Sequence, residues 1–595
     1  MDAQATIQPV DPVITNTDFL EPLVDVVEPL LASLQSFLGL PSVQASGSTG
    51  GITLFPEGFT QKEKGLTLLI VGLVLYIAST KLYEIQTYVR TTLVPWLFKP
   101  KKKEKSRKGN LSPLSEEHLR EYKDGLEIVV SKYQRKLPAS GWKAKPIEKR
   151  LESIRETQQR KLEQKTYSGG VFKYDSATNN IYGTAAQKFV LSDLAYPDRF
   201  PGSRQLEVEA ASMVLNLFHP KEDSGALFTS GASESLLIAL LAHRRYYGYT
   251  KGITDPEIVV AETASPQLLK ACDLLAILPR RVPVNKKTAL PSVEGYEQLI
   301  NRNTICIVVS APDSTYGVFH PIKELGAVSK NSNVPILVDA THGSVLLPFL
   351  HEADPDANYP QFDFRNEQIS AIVCDLGNYG LAPKGSSVVL FANSTLQKTS
   401  YYIDISNHGE FHCSARLQES RSSFAIVTAW SALMHNGQDG YLALTRDVLK
   451  STKKLVKKIN ANNSLEVIGE PLLGQVAFKS VDSAVDIFSL GNYLANNSEW
   501  IVEGVARRAA LRITLTPENI DNLSKLFTAL TKGVEEVKNS SKKYTEGPFT
   551  AFGKLLSSED KQKYLVALEK YHATYSGALY EEKLDNKGKK KAKKR

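Results

Sequence analysis

The residues best equipped for chemistry lie between Ile369 and Ser387, where ISAIVCDLGNYGLAPKGSS carries Asp375, Asn378 and Lys384 within ten positions. A lysine amine can attack a carbonyl carbon. The carboxamide of Asn378 cannot, because its nitrogen lone pair is delocalised into the carbonyl. Whether a reactive amine stands at the right point of this loop therefore separates a covalent catalyst from a pocket that only binds. Lys384 follows Asn378 by six residues, a chain reach of roughly 20 Å, shortened if the chain turns at Gly380 and Pro383.

Three further segments can serve such a centre. In FTSGASESLL, starting at Phe228, the small residues Thr229, Ser230, Gly231, Ala232 and Ser233 lead into a helical pattern. Free N–H groups, hydroxyls and the positive end of the helix dipole can converge there on a phosphate. The same spacing also describes an ordinary N-cap with acidic residues in the first turn. Asp339, in VPILVDATHG with His342 just behind, is placed either to pair with a cationic ring nitrogen or to cap the next helix; spacing does not choose between them. AYPDRFPGSRQLEVEA, from Ala195, is an irregular loop closing on a helix.

The elements that must hold these residues are short apolar runs alternating with helical stretches: EIVVAET at Glu257, TICIVVSA at Thr304, VPILVDA at Val334, AIVCDL at Ala371 and SVVLFA at Ser387. Continuous Val/Ile/Leu runs are strands buried on both faces of a mainly parallel sheet, so the expected fold is a doubly wound α/β domain. The candidate residues fall near strand ends, where open α/β sheets bind ligands.

The chain has 595 residues, 42% hydrophobic and 23% charged, with a net charge of +8, an ordinary globular composition with room for two or three domains. The positive charge collects at Lys99 to Lys108 and Lys587 to Arg595, and no stretch between them reads as a nucleic-acid groove. Cys272, Cys306, Cys374 and Cys413 are far apart, which fits a reducing compartment rather than a disulfide framework. GLTLLIVGLVLYIAST, between Lys64 and Lys81, has sixteen uncharged residues. They reach roughly 24 Å, close to a bilayer core once Lys81 snorkels. The basic cluster that follows predicts a single-pass anchor with a cytosolic body. The C-terminal KAKKR matches a dilysine signal for the endoplasmic reticulum, which fits that orientation.

The expected organisation is an N-terminal lumenal segment at 1–62, a transmembrane helix at 63–83, a basic linker at 84–115, a helical arm at 116–168, a large domain at 169–434, a smaller α+β domain at 435–545 and a helical, basic tail at 546–595.

In joint order and spacing, SGGVF at Ser168, PDRFPGSR at Pro197, TSGASESLL at Thr229, LVDATHGS at Leu337, YGLAPKGSS at Tyr379 and GQDGYL at Gly437 resemble the sphingosine-1-phosphate lyase family. The resemblance implies an aspartate-aminotransferase-like fold (fold type I) and pyridoxal phosphate as cofactor. It further implies cleavage of phosphorylated sphingoid bases to a fatty aldehyde and phosphoethanolamine, and a dimer with shared active sites. By the same resemblance Thr229 to Ser233 match the phosphate cup, and Asp339 matches the carboxylate that keeps the pyridine nitrogen protonated.

The sequence departs from that family where the cofactor is touched. The family's Asp-Thr-His-Lys-Tyr-Gly reads here Asp375-Leu376-Gly377-Asn378-Tyr379-Gly380, so Asn378 occupies the place of the Schiff-base lysine. Ser265 stands for the histidine that stacks on the ring, Tyr196 for a loop histidine, and Tyr316 for the first residue of a histidine-glycine pair. The partner-contributed glycine loop has become HGEFHCSARLQESR, in which Gly409, Ser420 and Arg421 still match. His412, with His408, Glu410 and Cys413, has the chemistry of a metal ligand, yet a decayed glycine loop accounts for the cluster and no metal site is expected. Lys384 matches a second lysine of the family and is a poor substitute for the lost one.

The expectation is therefore a degenerate member of the family. Its pyridoxal phosphate is lost or held non-covalently, and its role is regulatory, as a lipid-phosphate pocket, a homodimer or the inactive partner of an intact relative. The rival expectation is a working lyase.

Overall fold

The computed structural model describes residues 137–549, apart from residues 171, 173–175, 407–408, 410–411, 506–507, 541–543, 546 and 548. The expected transmembrane helix at 63–83, the basic linker and the far C-terminal tail lie outside the described residues. Among the described residues no helix is long and apolar enough to cross a membrane.

The centre is a seven-stranded sheet of β1 (Gly225–Thr229), β2 (Glu257–Ala261), β3 (Leu278–Val282), β4 (Thr304–Ser310), β5 (Ile336–Asp339), β6 (Ile369–Asp375) and β7 (Ser387–Phe391). Their spatial order is β1-β7-β6-β5-β4-β2-β3. Strand β7 is antiparallel to both its neighbours, and the other pairings are parallel.

Alternate side chains along the central strands enter opposite cores. Val259, Ile307, Val338, Ile372 and Val388 pack on one side; Ile258, Val308, Leu337, Val373 and Val389 pack on the other. Burial on both faces is why these strands are apolar throughout, each such side chain contributing roughly 1.5–3 kcal/mol.

Helices cover both faces. The first helix among the described residues is α1 (Ala144–Glu163), an arm none of whose residues is buried. The chain continues through α2 (Ser176–Lys188), α3 (Pro201–Leu217), α4 (Ala232–Lys251) and α5 (Pro266–Leu274). Far along the chain, α6 (Phe424–Asn460) is two successive helical segments joined at a kink, where Gly437 has a non-helical φ of 58° and ψ of −173°. It packs on α2 and α3 and runs on toward a four-stranded antiparallel sheet of β8 (Leu465–Val467), β9 (Gln475–Ser480), β10 (Glu503–Val505) and β11 (Ala510–Thr514), in the order β8-β9-β11-β10. Trp500, Val476, Leu511 and Leu526 belong to the separate core of this smaller unit.

Candidate functional site

Strand β6 delivers Asp375 into a loop whose backbone is closed on itself: Leu381 N–H donates to Asn378 O at 2.9 Å, Ala382 N–H to Leu376 O at 3.1 Å, and Leu376 N–H to Ser386 O at 3.0 Å. Two tyrosines fasten it from outside. Tyr182 of α2 donates to Leu381 O at 2.7 Å, and Tyr441 of α6 donates to Gly380 O at 2.9 Å. The loop is thus rigidly placed at the carboxyl end of the sheet.

Within it, Asn378 sits between two charged groups. Its Nδ2 donates to Asp375 Oδ2 at 2.8 Å, and its Oδ1 accepts from Lys384 Nζ at 2.5 Å. Asp375 is buried, which pushes its carboxyl up to about 6, against the opposing pull of the Lys384 charge and of the backbone N–H groups of Gly377 and Ala232. Lys384 is solvent-exposed as a residue. Enough protein nevertheless surrounds its ammonium that desolvation draws its pKa below the usual lysine value, opposed by Asp375. The face of the Phe172 ring lies 4.9 Å from Nζ, a cation–π contact that sequence reading gives no sign of.

Asp339, at the end of the adjacent β5, is buried and held by neutral donors. It accepts from Ser265 Oγ at 3.0 Å, from Thr341 Oγ1 at 2.7 Å and from Thr341 N–H at 3.2 Å. Ser265 also caps α5 by accepting from Leu268 N–H at 3.3 Å. Ser265 thus serves Asp339 and a helix end together. His342 shares Thr341 Oγ1 through Nδ1 at 3.1 Å. Burial lowers its pKa, while the nearby Asp339 charge opposes that shift.

At the start of α4, Gly231 adopts a φ of +136°, and a Cβ built there would meet nothing within 4 Å. Ser230 and Ser233 are exposed beside it. Part of this helix end is already engaged: Glu234 accepts from Ser230 N–H at 2.7 Å, and Thr229 Oγ1 pairs with Ser235 Oγ at 2.6 Å, inside the sheet edge. Both the phosphate reading and the capping reading of this segment therefore have residues to support them.

The remaining candidates group elsewhere. Ser420 donates to Asp193 at 2.8 Å, and Arg421 pairs with Glu207 at 2.9 Å. His412 lies 3.4 Å from Glu419, and Tyr196 carries Arg199 over its ring at 4.2 Å. Gly409 is exposed. Tyr316 is buried in a core cluster with Val318 and Ala477. Among the described residues no group of three His, Cys, Asp or Glu side chains is placed to hold a metal; His408 and Glu410 lie outside them.

Comparison with known proteins places this geometry. The pyridoxal-dependent decarboxylase conserved domain matches residues 171–481. The chain is 31% identical over 376 residues to the sphingosine-1-phosphate lyase of Saccharomyces cerevisiae, covering 63% of each chain. It is 33% identical over 363 residues to sphingosine-1-phosphate lyase 1 of Rattus norvegicus, covering 61% of this chain and 63% of that one. The alignment thus spans less than two thirds of either relative. A solved Burkholderia pseudomallei sphingosine-1-phosphate lyase superposes with a TM-score of 0.64 at 24% identity, over 72% of this chain and 98% of that one, which establishes the shared fold. The match over more than half the chain, on a sheet whose strand ends carry Asp339 and Asp375, places this protein in the pyridoxal-dependent decarboxylase family, among relatives that include the sphingosine-1-phosphate lyases.

Proposed function

We propose that this protein is a degenerate, lyase-like member of sphingolipid metabolism that binds a phosphorylated sphingoid base without cleaving it. The observation that carries the reading is Asn378. The position that needs a nucleophilic amine holds a carboxamide, and both polar ends of that carboxamide are engaged, by Asp375 and by Lys384. Neither end can attack a carbonyl or take up a proton at neutral pH.

The surrounding residues fit pyridoxal phosphate without a covalent link through residue 378. Open space at Gly231 beside exposed Ser230 and Ser233 suits a phosphate, and Asp339, with only neutral hydrogen-bond donors, suits a protonated ring nitrogen. When bound, the cofactor supplies an electron sink for bond cleavage. The chain's own residues orient the ring through Asp339 and the phosphate through the start of α4. No lysine at 378 is present to move the proton that cleavage requires.

The membrane anchor at 63–83 and the cytosolic side of the endoplasmic reticulum belong to the same proposal, as does assembly into a homodimer or with an intact relative. In the latter case the inactive chain completes or regulates the other's site. Recovery from its native membrane only as a homodimer counts against the mixed assembly.

The deciding experiment uses purified full-length protein with a phosphorylated sphingoid base. Saturable binding with no fatty aldehyde released is expected; turnover by the unaltered chain overturns the reading. Asn378→Lys should strengthen cofactor retention yet give incomplete turnover, because Ser265 and Gly377 remain. A working lyase is the second reading, and the Lys384 amine beside Asn378 is what favours it.

A further inference from the structure

Gly377, Asn378 and Lys384 form one unit. A Cβ on Gly377 would stand 3.2 Å from Lys384 Cδ and 3.3 Å from Lys384 Cα. Both are tighter than ordinary van der Waals contact, so a side chain as large as histidine there would press the lysine away. Glycine leaves Lys384 room to fold back over the loop. Asn378 Oδ1 then receives its ammonium, while Asn378 Nδ2 is fixed on Asp375. The two residues that differ from the family's reactive pair are thus the two that seat Lys384.

The geometry points to Lys384 as the residue at which this pocket captures a phosphorylated aldehyde, pyridoxal phosphate included, as a reversible imine. Three features support it beyond the seating. Lys384 is exposed, so a ligand can reach it. Phe172 offers a ring face at 4.9 Å from Nζ, an apolar wall for an aromatic or alkyl aldehyde. The charge of Lys384 is felt by Asp375 and by His342, both of which also feel Asp339, so the amine lies in the same neighbourhood as these groups. Desolvation enlarges the fraction of free amine, while Asp375 restrains that gain.

The step balances without a redox partner. The unprotonated Nζ donates its electron pair to the carbonyl carbon, and the carbonyl π pair moves to oxygen. The nitrogen gives up one of its two protons to solvent, and the oxygen takes up two protons from solvent. The remaining nitrogen lone pair forms the C=N bond as the C–O bond breaks and water leaves, giving a protonated imine with one net proton drawn from solvent. Asn378 holds the amine and does not relay protons.

This inference rests on the proposal that the pocket still receives phosphorylated ligands, and the test separates the two. Full-length protein is titrated with pyridoxal phosphate, reduced with borohydride and digested, and the pyridoxyl-bearing peptide is mapped. A stoichiometric adduct on Lys384 is expected, lost in both Lys384→Arg and Lys384→Met, diminished in Gly377→His, and suppressed by inorganic phosphate. Thermal unfolding of each variant shows that the fold persists. Labelling spread over other lysines and unchanged in Lys384→Arg overturns the inference. An adduct without fatty aldehyde release supports both proposals, and an adduct with turnover supports this one while overturning the non-cleaving role. Binding of the sphingoid base without an adduct does the reverse.

Discussion

Tyr379 Oη donates to Leu515 O at 2.7 Å, joining the loop that carries Asn378 to the end of β11 in the small unit. Tyr379 is buried, with Phe172 edge-on at 5.7 Å, so its hydroxyl bond is made away from water. Tyr379→Phe keeps the ring and leaves Leu515 O without this partner, at a cost of about 1–3 kcal/mol. A lowered denaturant midpoint with an unchanged slope checks it. An unaltered midpoint would mean that the hydroxyl does not tie the two units together.

Gly474 makes that contact possible. Its φ is +73°, and a Cβ there would overlap Tyr379 Oη. Gly474→Ala therefore meets a backbone penalty and a steric one together, about 2–4 kcal/mol in all. It should also shift the loop, so stability and ligand binding fall together. A variant that loses stability while its binding stays intact would show that Tyr379 yields without moving Asn378.

Much of this architecture was legible because burial on two faces leaves a continuous apolar run. β2, β4, β5, β6 and β7 are such runs, and the structure finds them within a residue or two of the expected positions. β1 and β3 carry no such signal. GALFT is short and opens on glycine, and LPRRV is a charged edge strand with most of its side chains at the surface, so neither carries the signature of a central strand. At the site, Asn378, Lys384, Asp339 and Asp375 were all visible as residue types. Their mutual contacts were not, because a separation of six residues limits reach without fixing direction. The packing of Lys384 over Gly377 and against Phe172 is a tertiary fact with no local pattern behind it.

Glu207 of α3 is the buried anchor of the loop that precedes α6. It receives Arg416 at 2.7 Å and Arg421 at 2.9 Å, and Arg416 Nε further donates to Phe228 O at 2.7 Å. Burial already lowers the Arg416 pKa, with Glu207 opposing. Glu207→Gln removes the charge and leaves two guanidinium groups poorly compensated in a low-dielectric setting, so a loss of about 3–5 kcal/mol is expected. Arg416 also bonds the strand leading to Thr229, so this variant should loosen the start of α4 as well. Faster amide exchange there is the check; exchange confined to the loop would limit the anchor to a local role.

Two buried groups titrate in opposite senses between pH 4 and 6.5, and variants separate them. Burial raises Asp375 from 3.8 to about 6 in the folded protein. The folded state then binds more protons than the unfolded one, and stability falls as pH rises through that interval. His243 is the reverse. It is enclosed between Ala239 O at 2.7 Å and Ser370 Oγ at 2.8 Å, and desolvation holds it down from 6.5 to about 4. Its contribution is complete above the upper value and is lost as pH falls toward the lower. Nδ1 must donate to the carbonyl, and Nε2 faces a serine whose hydroxyl also donates to Ile336 O at 2.9 Å. Each group is worth at most about 3 kcal/mol across its window. Asp375→Asn should therefore be more stable than the parent at pH 7, with the difference shrinking as pH approaches 4. His243→Gln should be less stable at pH 7, with its deficit narrowing on acidification. Denaturation curves collected across this range test both signs, and an Asp375→Asn advantage that grows toward acid would show that the buried carboxyl is not the group titrating.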